Sequence, residues 1–253
     1  MTYSLRNNPK CPFGNLKWKE YYWERPSKKV SYEEEYWGDA IDPDGNTRNL
    51  INEWDQQIEN YKHIFNYLHQ IKPGKILDVG CGPGFFLSRL NNEWDKYGID
   101  ISNKAIKLSS RYASVKTCEL PNANYSQEFF DVITMIHLIE HLTDPILYIE
   151  TVKKILKNGG VFILETPDFD SACARRFGLN YRMLHDSGHI SLFTFYSLIK
   201  LLEDFNFEIV SIEFPFFETK YFTKKNMLRI MDKKKISPPF YGNHITLYSI
   251  KRK

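Results

Sequence analysis

The stretch Lys75-Ile-Leu-Asp-Val-Gly-Cys-Gly-Pro-Gly-Phe-Phe-Leu87 joins an apolar strand to an apolar helix through a turn of three glycines, and Asp100 ends a second strand-like run just beyond it. Gly80, Gly82 and Gly84 permit a tight turn and remove side chains where backbone must approach a ligand, and the helix that begins near Gly84 has free N–H groups. This feature restricts the chain to an α/β fold with an adenosine-type cofactor on its glycine turn.

Spacing decides which cofactor. A dinucleotide fingerprint reads G-x-G-x-x-G and seats a pyrophosphate on the helix N-terminus, whereas this turn reads Gly80-Cys-Gly82-Pro-Gly84 with Asp78 before it. A carboxylate there repels a pyrophosphate and suits a ligand carrying an ammonium and a sulfonium. The motif therefore points to S-adenosylmethionine and away from a nicotinamide-linked oxidoreductase. In Lys96-Tyr-Gly-Ile-Asp100-Ile-Ser the carboxylate stands about twenty positions after Gly80, where an acid accepts both ribose hydroxyls.

The stretches Ile76 to Leu87, Gly98-Ile-Asp100, Phe130-Asp-Val-Ile133, His137-Leu-Ile-Glu-His141 with Asp144-Pro145, and Leu156-Lys-Asn-Gly-Gly-Val161 occur in this order. Together they resemble the class I S-adenosylmethionine-dependent methyltransferases, from about residue 70 to the C-terminus, and within them the bacterial group (type 11, 12 and 23-like) that methylates small molecules and sugars. The late segment His189-Ile-Ser-Leu-Phe-Thr194 fits the same group. The resemblance implies an α/β Rossmann-like three-layer sandwich whose seven-stranded sheet is mostly parallel with an antiparallel last strand. Carried over by position, Asp78, Gly80, Cys81, Gly82 and Gly84 would cradle the methionine part, Asp100 the ribose and Ile101 the adenine face. Cys118 and Glu119 are both candidates for the third-strand contact to adenine, and Met135 and Ile136 would line the sulfonium end. The product would be S-adenosylhomocysteine.

Methyl transfer is an in-line displacement, so the protein must align an acceptor and, for a hydroxyl, remove its proton. Histidine has the pKa range for that task, and His137, His141, His185 and His189 all fall in segments expected at the C-terminal edge of the sheet. His141 and His137 rank first, then His189; the bland alternative is a loop-capping role for His141 and a core role for His189. The same segment resembles the Glu-x-x-Glu-His element of metal-dependent RNA 3′-terminal and quinone-biosynthesis O-methyltransferases, with His137 in place of the first carboxylate. That exchange removes an oxygen ligand suited to magnesium and leaves an N/O set closer to zinc or manganese; no metal is expected. Between Thr166 and Thr194, Tyr181, Arg182 and His185 are expected to bind substrate, with Arg175, Arg176 and Asp186 nearby; arginines suit a carboxylate or phosphate. The expected reaction is O-methylation of a small polar metabolite such as a sugar or glycan precursor. The alternatives are N- or C-methylation, metal-assisted RNA 3′-end methylation, and a non-catalytic cofactor-binding protein.

Composition sets limits. A chain of 253 residues that is 42% hydrophobic and 26% charged fits one sizeable globular core, and no apolar run is long enough to cross a membrane. The N-terminus has no apolar signal segment, so a cytoplasmic location is expected. Cys11, Cys81, Cys118 and Cys173 form no C-x-x-C pair and read as reduced thiols. A formal charge of +3 gives no case for nucleic acid, and Lys233-Lys-Lys235 and Lys251-Arg-Lys253 read as solvated faces; no membrane contact is expected, and the oligomeric state, a homodimer among the options, stays open. Residues 1–45, with Trp18, Tyr21, Tyr22, Trp23, Tyr32, Tyr36 and Trp37 ahead of the turn Asp42-Pro-Asp-Gly45, are read as an aromatic appendage or lid, and 46–253 as the cofactor-binding domain. The apolar spacing of Leu50, Ile51, Trp54, Ile58, Tyr61, Ile64, Phe65 and Leu68 predicts one long helix over 46–70. Strands are predicted near 75–80, 95–100, 113–117, 130–136, 160–165, 207–214 and 244–250. A helix is expected from Pro145 to Asn158-Gly-Gly160 and another from Thr194 to Phe205, the latter closed by Asn206.

Overall fold

The computed structural model describes residues 10–26, 39–41 and 47–253. Tyr32, Tyr36, Trp37 and the turn at 42–45 lie outside these residues. In chain order the described strands are β1 (Lys17–Lys19), β2 (Tyr22–Glu24), β3 (Asp39–Ile41), β4 (Thr47–Asn49), β5 (Lys75–Val79) and β6 (Asp95–Asp100). They continue with β7 (Ser114–Thr117), β8 (Phe130–Ile136), β9 (Leu156–Pro167), β10 (Ser191–Phe193), β11 (Phe207–Glu213) and β12 (His244–Lys251). Seven form one mostly parallel sheet in the order β11-β12-β9-β8-β5-β6-β7, with the last strand antiparallel, which is the Rossmann-like arrangement expected. The predicted strands all form, with ends that differ by a few residues.

The chain divides into two compact units, one made of Met1–Val30, His137–Pro145 and Glu165–Ser249, the other of Ser31–Ile136, Ile146–Leu164 and Ile250–Lys253. In the second unit β5 lies parallel to both β6 and β8, with Asp78 opposite Gly98 and Thr134. Ile76, Leu77 and Val79 are buried, the continuous apolar run that a central parallel strand requires. Parallel alignment brings the glycine turn after β5, Asp100 at the end of β6 and Ile136 at the end of β8 to one edge.

Two helix predictions are corrected here. The segment 46–70 carries two short helices, Trp54–Glu59 and Lys62–Leu68, instead of one. At the join, the N–H groups of Asn60 and Tyr61 reach three residues back, to Gln57 O (3.2 Å) and Ile58 O (3.0 Å), which tightens the turn and restarts the helix. The apolar stripe survives the break: Leu50, Ile58 and Phe85 share a core flanked by Trp54, Tyr61 and Phe65. The helix from Pro145 ends at Ile155, before the glycines. Glu128 and Phe129 donate to the carbonyls of Lys154 (3.1 Å) and Ile155 (2.8 Å), which the next helical turn would have needed, so Leu156 enters β9 directly.

In the first unit, β1, β2 and β10 form a small antiparallel sheet in which Trp23 sits opposite Trp18 and Leu192. Trp23 is almost fully buried in a core with Phe13, Phe169, Phe177 and Tyr181, and the ring of Phe13 stacks on Tyr181 at 6.0 Å. The described N-terminal aromatics therefore serve as core, which is what anchors residues 10–26. The helix Phe195–Asp204 forms as predicted, with Thr194 and Ser197 in a capping box and Asn206 in the left-handed region at φ 63°.

Gly98 is required by proximity: a Cβ there would lie 2.8 Å from Cys81 Sγ and 3.0 Å from Leu87 Cδ1. Gly98→Ala is expected to lower stability by about 1–3 kcal/mol through overpacking. Urea unfolding would show it, and Cys81→Ala in the same chain should return part of the loss.

Candidate active site

The glycine turn in the second unit is fixed by β6. Gly80 and Cys81 N–H both donate to Ile99 O (2.8 and 2.9 Å), and Gly82 N–H donates to Asp100 Oδ2 (2.9 Å). These amides shape the turn rather than reaching for a ligand. Gly84 caps the following helix at φ 94°, where a Cβ would meet Ser109 Cα at 3.1 Å. Cys81 is buried with its thiol toward Gly98 and Ser109, so its side chain acts as packing. Asp100 Oδ1 accepts Ser102 N–H at 2.8 Å, so one carboxylate ties the turn to the start of the next helix. A carboxylate offers about four acceptor positions, which keeps this role compatible with two ribose hydroxyls. Ile101 beside it is half exposed and can cover a flat base, and Cys118 donates its N–H to Asp100 O at 3.0 Å, which places Cys118 nearer than the exposed Glu119. Met135 is fully buried within β8, and Ile136 is half buried at the strand end.

Asp78 shows what the turn lacks. It is buried, accepts the Thr134 hydroxyl at 2.7 Å, and its pKa is raised to about 7: burial raises it, the Thr134 bond lowers it, and the charge of Asp100 raises it. Among the described residues, no cation is among the groups that set this value. The ammonium and sulfonium of S-adenosylmethionine supply the missing positive charge, so the residues present fit that cofactor.

In the first unit, the turn after β8 gathers histidines and acids. His137 takes φ 52° and donates its N–H to Glu165 O at 2.9 Å. Its ring lies between Glu140 (Nδ1 to Oε1, 3.4 Å) and Glu165 (Nε2 to Oε1, 3.1 Å). Burial alone would lower its pKa, but the two carboxylates outweigh this and push it up to about 10, so His137 is an imidazolium at neutral pH. Glu140, fully buried, is held ionised by His137, His141 and His189 against the cost of burial, and its Oε2 accepts the Thr166 hydroxyl at 2.9 Å. Glu165 accepts from Thr246, and His244 packs its ring 4.7 Å from His137 with its pKa lowered to about 3 by burial and by the charge of His137.

His141 and His189 meet with ring centres 4.7 Å apart. Two bonds bring them together: Ile190 N–H to Glu140 O (2.8 Å) and the Ser191 hydroxyl to Leu142 O (2.7 Å). His189 is buried, with Nδ1 2.6 Å from Met183 O, which assigns the proton to Nδ1 and leaves Nε2 as an acceptor. Glu140, His141 and His189 offer ligand atoms within 4.8 Å of one another. Arg182 has Nη1 buried without a hydrogen-bond partner, and its charge acts on His244. Tyr181 is fully buried, with its hydroxyl donating to Asp168 O and Asn243 O, and His185 is exposed. Sequence reading missed Glu165 and His244. Glu165 carried a signal, a single acid ending the apolar run Val161-Phe-Ile-Leu; His244, opening the last strand, carried none.

The chain matches the methyltransferase domain family over residues 52–212 and belongs to that family. The ubiquinone biosynthesis O-methyltransferase of Haemophilus ducreyi is 29% identical over 119 residues, covering 40% of this chain and 50% of that protein. The chain thus spans about half the length of this curated relative. A SAM-dependent methyltransferase from Archaeoglobus fulgidus superposes with a TM-score of 0.59 at 20% identity, covering 79% of this chain and 98% of that one. Another, from Methanosarcina mazei, gives 0.54 at 20% identity, covering 76% and 98%. At these identities the structures show the fold alone. The family fixes S-adenosylmethionine as the cofactor.

Asp100→Ala, by removing charge-assisted bonds of about 1.5–3 kcal/mol, should weaken S-adenosylmethionine binding roughly ten- to a hundredfold in a calorimetric titration. A cationic ligand favours the ionised form of Asp78, so binding should release a proton below pH 7 and weaken as pH falls through about 7. Titrations in buffers of different ionisation enthalpy read that proton directly, and Asp78→Asn should abolish the release.

Proposed function

We propose that this protein transfers the methyl group of S-adenosylmethionine to an oxygen of a small hydroxylated metabolite, with His141 as general base. The observation that carries the methyl-transfer reading is the buried Asp78, acted on by Thr134 and Asp100 and suited to a cationic cofactor. When bound, that cofactor supplies a methyl carbon made electrophilic by its sulfonium. Asp78 and Asp100 orient it, while His137, already protonated between Glu140 and Glu165, has no lone pair with which to take a proton. His189 directs Nδ1 at Met183 and sits buried behind His141. His141, half buried, is the histidine best suited to receive the acceptor's proton.

An acceptor pocket is supported within the first unit by a cavity of about 460 Å³ lined by residues including Lys17, Tyr22, Arg25, Thr143, Ile190 and Ser191. This volume suits a small metabolite. Thr143 and Ile190 follow His141 and His189 closely in the chain, and Arg182, with its unpartnered Nη1, would clamp an anionic group on the acceptor. The relatives named for ubiquinone biosynthesis make a ring hydroxyl one acceptor class to test, beside the sugar hydroxyl expected from sequence.

A second reading has its own observation. Glu140, fully buried, His141 and His189 offer ligand atoms that lie within 4.8 Å of one another. The Met183 carbonyl fixes the His189 tautomer, as the outer partner of a metal-ligating histidine does. These residues would hold a zinc- or manganese-type ion, which would act there as a Lewis acid on the acceptor oxygen.

In a screen of phenolic and sugar acceptors, His141→Gln is expected to lower kcat by roughly 10²–10⁴-fold with cofactor affinity unchanged. Activity unaffected by a chelator would support the base alone; loss on chelation and recovery with manganese or zinc would support the metal. Wild-type turnover by His141→Gln, insensitive to chelation, would sink both.

A further inference from the structure

Residues 214–243, which connect β11 to β12 within the first unit, present a surface of unusual composition. Phe217 (58% exposed), Phe222, Leu228 (63%) and Met231 (73%) turn outward, joined by Met227 and Tyr241. The rings form one patch: Phe217 lies 5.2 Å from Phe222 and 5.3 Å from Tyr241, with buried Phe216 beneath them at 5.5–5.6 Å. Met227, Leu228 and Met231 project from successive turns of the helix Lys224–Arg229 and its continuation, where Met231 N–H bonds Leu228 O at 3.1 Å.

The same connection carries exposed Lys220, Lys224, Lys225, Lys233, Lys234 and Lys235, of which Lys235 pairs with Asp232 at 3.5 Å, against exposed Glu218 and Asp232. The local surplus of positive charge exceeds the +3 of the whole chain. Exposed aromatic and aliphatic side chains on a connection rich in exposed lysines match an interfacial surface, where apolar groups enter the headgroup boundary and cations meet lipid phosphates.

We propose that this connection docks the protein on the surface of an anionic phospholipid bilayer. Single-stranded nucleic acid would use the lysines and the rings, but Met227, Leu228 and Met231 give bases nothing to stack on, whereas hydrocarbon accommodates all six apolar side chains. Docking would be peripheral: among the described residues no helix is long and apolar enough to cross a membrane. The proposal departs from the sequence expectation of no membrane contact, and it stands whatever the acceptor is.

The test is co-sedimentation of the full chain with vesicles of phosphatidylcholine, with and without phosphatidylglycerol. Binding is expected to the anionic vesicles and to weaken with salt. Each lysine near such a surface is worth about fivefold in partitioning, so Lys233→Gln with Lys234→Gln and Lys235→Gln should lower it roughly a hundredfold. Phe222→Ser with Leu228→Ser and Met231→Ser should lose binding as well while still unfolding cooperatively in urea, since Leu228 and Met231 are exposed and Phe222 is half exposed. Equal or absent binding to both vesicle types, full retention by the apolar triple variant, capture of a single-stranded oligonucleotide that vesicles do not displace, or dimerisation through this face without vesicle binding would each overturn it.

Discussion

Glu140 and Glu165 bury two carboxylates side by side, and the imidazolium of His137 holds them together. Two like charges removed from water cannot both persist without a cation between them. Residue 137 therefore turns back directly after β8, in a left-handed conformation that costs a residue with a Cβ about 1–2 kcal/mol. The short turn Ile139–His141 follows from the same demand: it returns Glu140 to His137 and sends His141 the other way, to His189. One electrostatic requirement thus fixes His137 as the cation and turns His141 toward His189.

The second unit meets a similar problem in a different way. Asp78 and Asp100 are also buried acids in mutual repulsion, yet the neighbours that bear on Asp78 are a hydroxyl and another acid. There the cation comes with the cofactor. A site whose charge is balanced only on binding discriminates against neutral and anionic adenosine compounds by the repulsion left behind, which is how a glycine turn that resembles a dinucleotide site selects a sulfonium ligand.

Much of this was legible in the residues. The strands β5, β6 and β8 are apolar runs ended by glycine or acid, and their bounds follow from that pattern. The break at Asn60 and Tyr61 was not legible, because apolar spacing continues across it and only the backbone bonds change. The early end at Ile155 was hidden for a related reason: glycines signal where a helix can stop, but Phe129, distant in sequence, took the carbonyl first. His137 shows the deeper limit. Its residue type suggests a base, and the acid that pairs with its ring, Glu165, arrives from elsewhere in the chain. Tyr181 likewise reads as a polar loop residue until Phe13 stacks on it from the N-terminal segment.

The family match ends at residue 212, inside β11, and begins after the N-terminal sheet strands β1 and β2. Of what lies outside it, residues 10–26 and 214–243 fall in the first unit with the histidine cluster and the cavity, whereas the cofactor turn lies in the second. Cofactor binding asks the same geometry of every member, so its residues follow a shared pattern. Acceptor choice asks for difference, and outside the family match aromatic residues anchor a small antiparallel sheet beside Lys17 and Arg25. Arg25 is itself committed, donating to Asp186 O and His189 O, so it ties the N-terminal segment to the loop that bears His189. A change in the N-terminal segment would therefore reach the loop that bears His189 through these bonds.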